Sequence, residues 1–135
     1  MYLVDTNVVS ELRRLRPHGA VLAWLDAVPE QRLHLSAVTL GELQVGIERT
    51  RPHDPERARM LEAWIDGITG SWRVVPMDGQ MFRLSARLMH RRSSDLSEDA
   101  MIAATAIVLG LTVVTRNVRD FTPFEVNTFD PFTYR

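Results

Sequence analysis

A chain of 135 residues with 45% hydrophobic side chains has the size of one domain and enough apolar mass for a real core. The 16 basic against 17 acidic residues leave a formal net charge of −1, without the basic excess that nucleic-acid binders often show. No cysteine is present, which excludes a disulfide framework, a thiolate zinc site and a cysteine nucleophile.

The first residues, Met-Tyr-Leu-Val-Asp, lack a basic region ahead of a long apolar run, so no secretory leader is expected. Tyr2 to Val4 reads as a short strand ending at Asp5, followed by a helix over 7–15. Pro17 can open the next helix, in which Val21, Trp24, Leu25 and Val28 form one apolar stripe. Leu33 to Leu35 reads as a second strand. Leu40, Leu43 and Ile47 then share one face of a helix over 39–49. Asp54-Pro55-Glu56 combines an N-cap, a first-turn proline and a first-turn acid. Behind it Leu61, Trp64, Ile65 and Ile68 recur at helical spacing, and Gly67 and Gly70 suggest the end. Val74-Val75 is a third strand, and Asp78 can cap a helix to about residue 92. Residues 97–109 are apolar nearly all round, which predicts a buried helix, and Ala103, Ala104 and Ala106 let it lie close to a sheet. Gly110 ends it. Leu111 to Val114 is a fourth strand and Val126 to Phe129 a short fifth.

Strands separated by helices imply right-handed crossovers and a sheet covered on both faces. The expectation is therefore one α/β domain over 1–135, a three-layer α/β/α arrangement on a mostly parallel sheet of four to five strands. No segment approaches the ~20 apolar residues of a membrane span, so no membrane contact and a cytoplasmic location are expected.

In open parallel sheets ligands bind beyond the carboxyl ends of the strands. The first strand delivers Asp5, Thr6 and Asn7 there. The second leads to Ser36, Thr39 and then Glu42. Asp99, beside Glu98, lies in the first turn of the buried helix. The fourth strand delivers Thr115, Arg116, Asn117 and then Asp120. Acids from remote stretches can thus meet at one edge, where they repel one another unless a cation neutralises them. Oxygen-only donors suit Mg²⁺, with Mn²⁺ as a substitute, rather than zinc. Such a site suits phosphodiester hydrolysis. The four histidines, His18, His34, His53 and His90, show no metal spacing and read as surface or structural residues.

Each acid also has a structural explanation. Asp5 can cap a helix. Thr39-Leu-Gly-Glu42 matches a capping box. Asp99 suits a helix dipole, and Asp120 suits a turn. The arginine clusters at 13, 14 and 16, at 49, 51, 57 and 59, and at 87, 91 and 92 read as solvated helix faces before they read as phosphate tracks. All basic residues are arginine, so neither a P-loop nor a Schiff-base mechanism is open to this chain.

Asp5-Thr6-Asn7, Ser36-Ala-Val-Thr39-Leu-Gly-Glu42-Leu, Asp99-Ala-Met-Ile-Ala-Ala-Thr105-Ala and Val114-Thr115-Arg116-Asn117-Val-Arg-Asp120-Phe121 follow one another along essentially the whole chain. In this order they resemble the PIN-domain family, and within it the VapC toxins of type II toxin–antitoxin pairs and the related FitB proteins. The resemblance implies a Mg²⁺-dependent endoribonuclease that cuts RNA, commonly structured RNA such as tRNA. It also implies a homodimer, a cognate VapB-like antitoxin that silences it, and operator DNA bound only through that antitoxin. Carried over, Asp5, Glu42, Asp99 and Asp120 form the catalytic set, with Asp5 and Asp99 as metal ligands. Thr6, Asn7, Thr115, Arg116 and Asn117 then support the site or bind substrate. In many family members an acid stands where this chain has Asn117, and Asp120 can supply that charge. The alternative is a catalytically weak PIN protein that acts with an antitoxin in DNA-binding autoregulation. A haloacid-dehalogenase-like phosphatase fits less well, because Asn7 replaces its second aspartate and its catalytic lysine is missing.

Overall fold

The computed structural model describes all residues from Met1 to Arg135. Strand β1 (Tyr2–Val4) is followed by helices α1 (Thr6–Glu11) and α2 (Gly19–Ala27), then β2 (Leu33–Ser36). Helices α3 (Ala37–Thr50) and α4 (Pro55–Ser71) lead to β3 (Arg73–Val75). Then come α5 (Gly79–Met89), α6 (Ser97–Leu109), β4 (Thr112–Val114), α7 (Val118–Phe121) and β5 (Thr128–Phe129). All strand pairings are parallel and the sheet order is β3-β2-β1-β4-β5. The chain winds outward from β1 through β2 to β3. It then returns to the other side of β1 to lay down β4. The β1/β4 boundary is thus the topological switch point, where parallel sheets open a crevice at their carboxyl ends.

Alternate strand residues feed two cores, as a sheet covered on both faces requires. Val4, Leu33, Leu35 and Val114 pack with Val8, Val9, Val21, Trp24 and Leu43 of the helices on one face. Leu3 and Val113 pack on the other with Ala100, Ala103, Ala106 and Phe121. The alanines bring α6 against the sheet as expected. Its last turn is not buried, because Ile107 and Leu109 are 40% and 45% exposed beyond the sheet edge. Gly110 ends α6 at φ +67°, a left-handed conformation that favours glycine.

Several boundaries differ from the sequence reading. Helix α1 stops at Glu11 rather than running to residue 15, since the arginines beyond it have no core to cover. Helix α2 begins at Gly19, after His18 rather than Pro17, because the His18 Nδ1 accepts the Ala20 N–H as a cap. Helix α3 begins at Ala37, capped by Ser36 Oγ on Val38 N at 3.1 Å. Asp54 caps α4 as expected, but α4 continues through Gly67 and Gly70 to Ser71, held by the packing of Trp64, Ile65 and Ile68. Helix α5 ends at Met89, short of residue 92. Asp120 lies in the short helix α7 rather than in a turn. No helix is long and apolar enough to cross a membrane.

Candidate active site

Asp5 is the first residue beyond β1, and its backbone N–H continues the ladder to Val114 O of β4 at 2.8 Å. Its side chain therefore stands at the switch point, 5% exposed. Oδ1 accepts from Thr6 N at 2.8 Å, so the capping role is real. Oδ2 accepts from Thr115 Oγ1 at 2.8 Å and Asn7 Nδ2 at 3.1 Å. A carboxylate has about four acceptor positions, and these bonds occupy three. One direction remains free.

The neighbours are tied to one another as well. Asn7 Nδ2 also donates to Thr115 Oγ1 at 3.3 Å, and Asn7 Oδ1 accepts from Arg116 N at 3.1 Å. Asn117 donates its backbone N–H to Thr115 Oγ1 at 3.0 Å, while its residue is exposed. Thr115, fully buried, thus gives its one hydrogen to Asp5 and takes two others. The network locks the loop after β4 onto the loop after β1.

Glu42 reaches the same edge from α3. Because Ser36 caps that helix, the Thr39–Glu42 capping box does not form. Instead Glu42 Oε1 accepts from Thr6 Oγ1 at 2.8 Å, and Thr6 Oγ1 lies 3.0 Å from Thr39 Oγ1. A hydroxyl has a single hydrogen, so Thr6 donates to the carboxylate and accepts from Thr39. Thr39, fully buried, is a supporting residue that the sequence reading assigned to a different job. Its signal was its place three residues before Glu42, on the same side of α3.

Asp99, in the first turn of α6, is half-buried, whereas its neighbour Glu98 is exposed. Burial pushes the Asp99 carboxyl up to about 7, reinforced by the charges of Asp5, Asp120, Glu42 and Glu98. Burial also raises Glu42, against its Thr6 bond, with Asp5 and Glu98 adding repulsion. Asp5 is raised by burial despite its three hydrogen bonds, and Asp120 adds to the rise. The structure therefore gathers Asp5, Glu42, Asp99 and Asp120 within electrostatic reach of one another and adds Glu98, which sequence reasoning left outside the site. Arg116 and Arg119 flank the cluster but are exposed and form no ion pair with it. The three ion pairs of the molecule, Arg14–Glu11, Arg51–Glu48 and Arg51–Glu62, all lie elsewhere.

A concentration of carboxylates with raised pKa values and no guanidinium partner suits a divalent cation by the chemistry of its donors. No three acidic or imidazole side chains already stand at ligating distance.

The family model for the PIN domain matches residues 2–123. The chain belongs to the PIN-domain family. This PIN domain is similar to a VapC ribonuclease, Y4jK, of Sinorhizobium fredii, at 37% identity over 96% of this chain and 94% of the relative. It is 32% identical to the toxin FitB of Neisseria gonorrhoeae, over 98% of this chain and 99% of that one. Among solved structures, the FitAcB structure from Neisseria gonorrhoeae superimposes with a TM-score of 0.88 at 31% identity, covering 98% of this chain and 99% of that one. Within the PIN family the chain therefore sits with the VapC and FitB toxins, as its four motifs indicated.

Proposed function

We propose that this PIN domain is a Mg²⁺-dependent endoribonuclease and the toxin of a type II toxin–antitoxin pair, with Asp5, Glu42, Asp99 and Asp120 as its catalytic set. The observation that carries the reading is a partly buried acidic cluster at the switch point with no cationic side chain to neutralise it. Full-length similarity to proteins named VapC ribonuclease and toxin FitB supports the same reading.

Asp5 and Asp99 would hold the ion. Asp5 is fixed by Thr6, Asn7 and Thr115 with one acceptor direction spare. Asp99 gains from a nearby positive charge, because burial first and then four neighbouring acids disfavour its ionised form. Held by these residues, a divalent ion would supply charge to polarise a phosphoryl oxygen and to lower the pKa of a water. Glu42, oriented by Thr6, and Asp120, in α7, would accept a proton at the rim. Asn117 offers only an amide oxygen there.

The partners follow from the same kinship. A VapB-like antitoxin would cover the acidic edge, a second copy would complete a homodimer, and operator DNA would be met only through the antitoxin. These assignments rest on relatives solved as FitAB bound to a DNA fragment and as FitAcB. Purified protein is expected to cleave RNA with Mg²⁺ or Mn²⁺ and to stop with EDTA. Asp5→Ala and Asp99→Ala should abolish cleavage with the fold intact. Full cleavage by both variants would reject the site. RNA left intact by the wild type, together with antitoxin-dependent operator binding, would favour the regulatory alternative.

A further inference from the structure

The surface beside the acidic edge has the opposite charge. Arg14, Arg16, His18, Arg57 and Arg116 line a hollow of about 670 Å³ with the buried Glu11. A neighbouring hollow of about 310 Å³ shares Glu11, Arg14 and Arg116 and reaches Asn7, whose amide holds Asp5 Oδ2. Sharing three lining residues, the two adjoin and form one trough beside Asn7. Five guanidinium groups, those of Arg13, Arg14, Arg16, Arg57 and Arg116, line it against one carboxylate, in a protein whose formal net charge is −1.

The trough is held in shape. Glu11 is 6% exposed, and its Oε2 accepts from His18 N at 3.3 Å while Oε1 accepts from Arg14 Nη1 at 3.4 Å. One carboxylate thus fastens both ends of the turn that carries Arg14 and Arg16. The Arg116 guanidinium lies 4.4 Å over the Phe132 ring, and Phe132 meets the His18 ring edge-on at 5.2 Å. His18 Nδ1 accepts from Ala20 N, so its ring hydrogen sits on Nε2 as a further donor. Arg16, Arg57 and Arg116 have no carboxylate partner. Arg116, stacked and unpaired, is a ready phosphate ligand, and Arg16 and Arg57 stand exposed and unpaired beside it.

We propose that this trough grips the sugar–phosphate backbone of RNA to one side of the bond that is cut. Arg116, stacked on Phe132, makes the contact nearest the acids, and Arg14, Arg16 and Arg57 hold phosphates farther along. The inference rests on the ribonuclease reading above. The carboxylates of the acidic edge repel a polyanion, so an adjoining basic surface is needed to draw RNA in, and this surface reaches Asn7, the residue that holds Asp5. An acidic protein segment would meet the same charges, and the poly-glutamate arm of the test tells the two apart.

The test separates binding from cleavage. A fluorescein-labelled single-stranded RNA of mixed sequence is titrated in EDTA at several salt concentrations, and cleavage of the same RNA is followed separately with Mn²⁺. Arg16→Gln combined with Arg57→Gln should weaken binding on the order of twentyfold near ~0.1 M salt, and should flatten the log–log salt dependence by about 1.4. Phe132→Leu should weaken binding with the slope unchanged, since no charge is removed. Wild-type affinity and slope in the double arginine variant would overturn the trough while leaving the ribonuclease reading in place. Tighter binding of a poly-glutamate peptide than of RNA, lost in the same variant, would also overturn it. RNA binding that weakens as expected in the variant, in a wild type that never cleaves, would sustain the trough and remove the ribonuclease reading.

Discussion

Thr115 donates its hydroxyl hydrogen to Asp5 Oδ2 at 2.8 Å, a buried bond between residues 110 positions apart. It is the shortest route by which the loop after β4 controls the carboxylate after β1. Thr115→Val keeps the shape and removes the donor. The stability loss should be about 1–2 kcal/mol, because a buried carboxylate loses a hydrogen bond that partly offsets its desolvation. Cleavage should fall at least tenfold while circular dichroism stays unchanged. Wild-type activity in Thr115→Val would show that Asp5 needs no such support.

The Asp99 carboxyl sits at about 7 in the fold against 3.8 in the unfolded chain. The folded state thus binds its proton more tightly, and the ionised form costs stability. In metal-free protein that cost grows as pH rises from about 4 through about 7 and is constant above. Asp99 is half exposed, so solvent screening reduces the effect to on the order of 1 kcal/mol. Asp99→Asn should therefore melt about 3 °C above the wild type at pH 8 in EDTA, with the gain fading toward pH 4. A lower melting temperature for Asp99→Asn at pH 8 would contradict the charge repulsion described here.

The same repulsion predicts that a divalent ion stabilises the fold. Millimolar Mg²⁺ or Mn²⁺ should raise the melting temperature of the wild type, in proportion to the logarithm of its concentration once the site is occupied. Asp5→Asn and Asp99→Asn should each blunt that rise, and EDTA should reverse it. The gain should be larger at pH 8 than at pH 5, because protonated carboxyls do not ligate. A metal response equal in all three proteins would locate the ion elsewhere.

Ser36 and Glu42 separate two jobs that the sequence merges. Ser36→Ala should cost about 1 kcal/mol through loss of the α3 cap, with cleavage changed only slightly at saturating metal. Glu42→Gln should leave stability within about 0.5 kcal/mol, since no capping box is broken, yet remove most cleavage. Equal thermal losses in the two variants would restore the capping role to Glu42.

Much of this was legible in the sequence. Alternating strands and helices specified the parallel three-layer fold, and helix α6 was readable to the residue because its apolar run is bounded by Ser97 and Gly110. Asp5, Glu42 and Asp120 were singled out by asking what stands beyond each strand, and Asp99 by its place in the first turn of the buried helix α6. The Thr39–Glu42 pattern misled because a capping box is a local signature. Which residue caps α3 depends on where β2 releases the chain, and that is set by the register of Ser36 against Val75. Gly67 and Gly70 resembled a stop, but the apolar residues around them packed well enough to outweigh a propensity cost of about 1 kcal/mol each. Helix α7, with four residues, is too short to show periodicity. The arginines around Glu11 looked like separate solvated faces because Arg14, Arg57 and Arg116 become neighbours only in three dimensions.

The Asp5–Thr115 bond also sets when in the life of the molecule the centre can exist. Its two halves are 110 positions apart, so the hydroxyl is synthesised long after the carboxylate it holds. A nascent chain, or one cut short before β4, carries Asp5 without its clamp and Asp99 without a sheet edge to complete. The acidic centre therefore takes shape only once β4 and the loop behind it have been made, and any chemistry it performs waits until then.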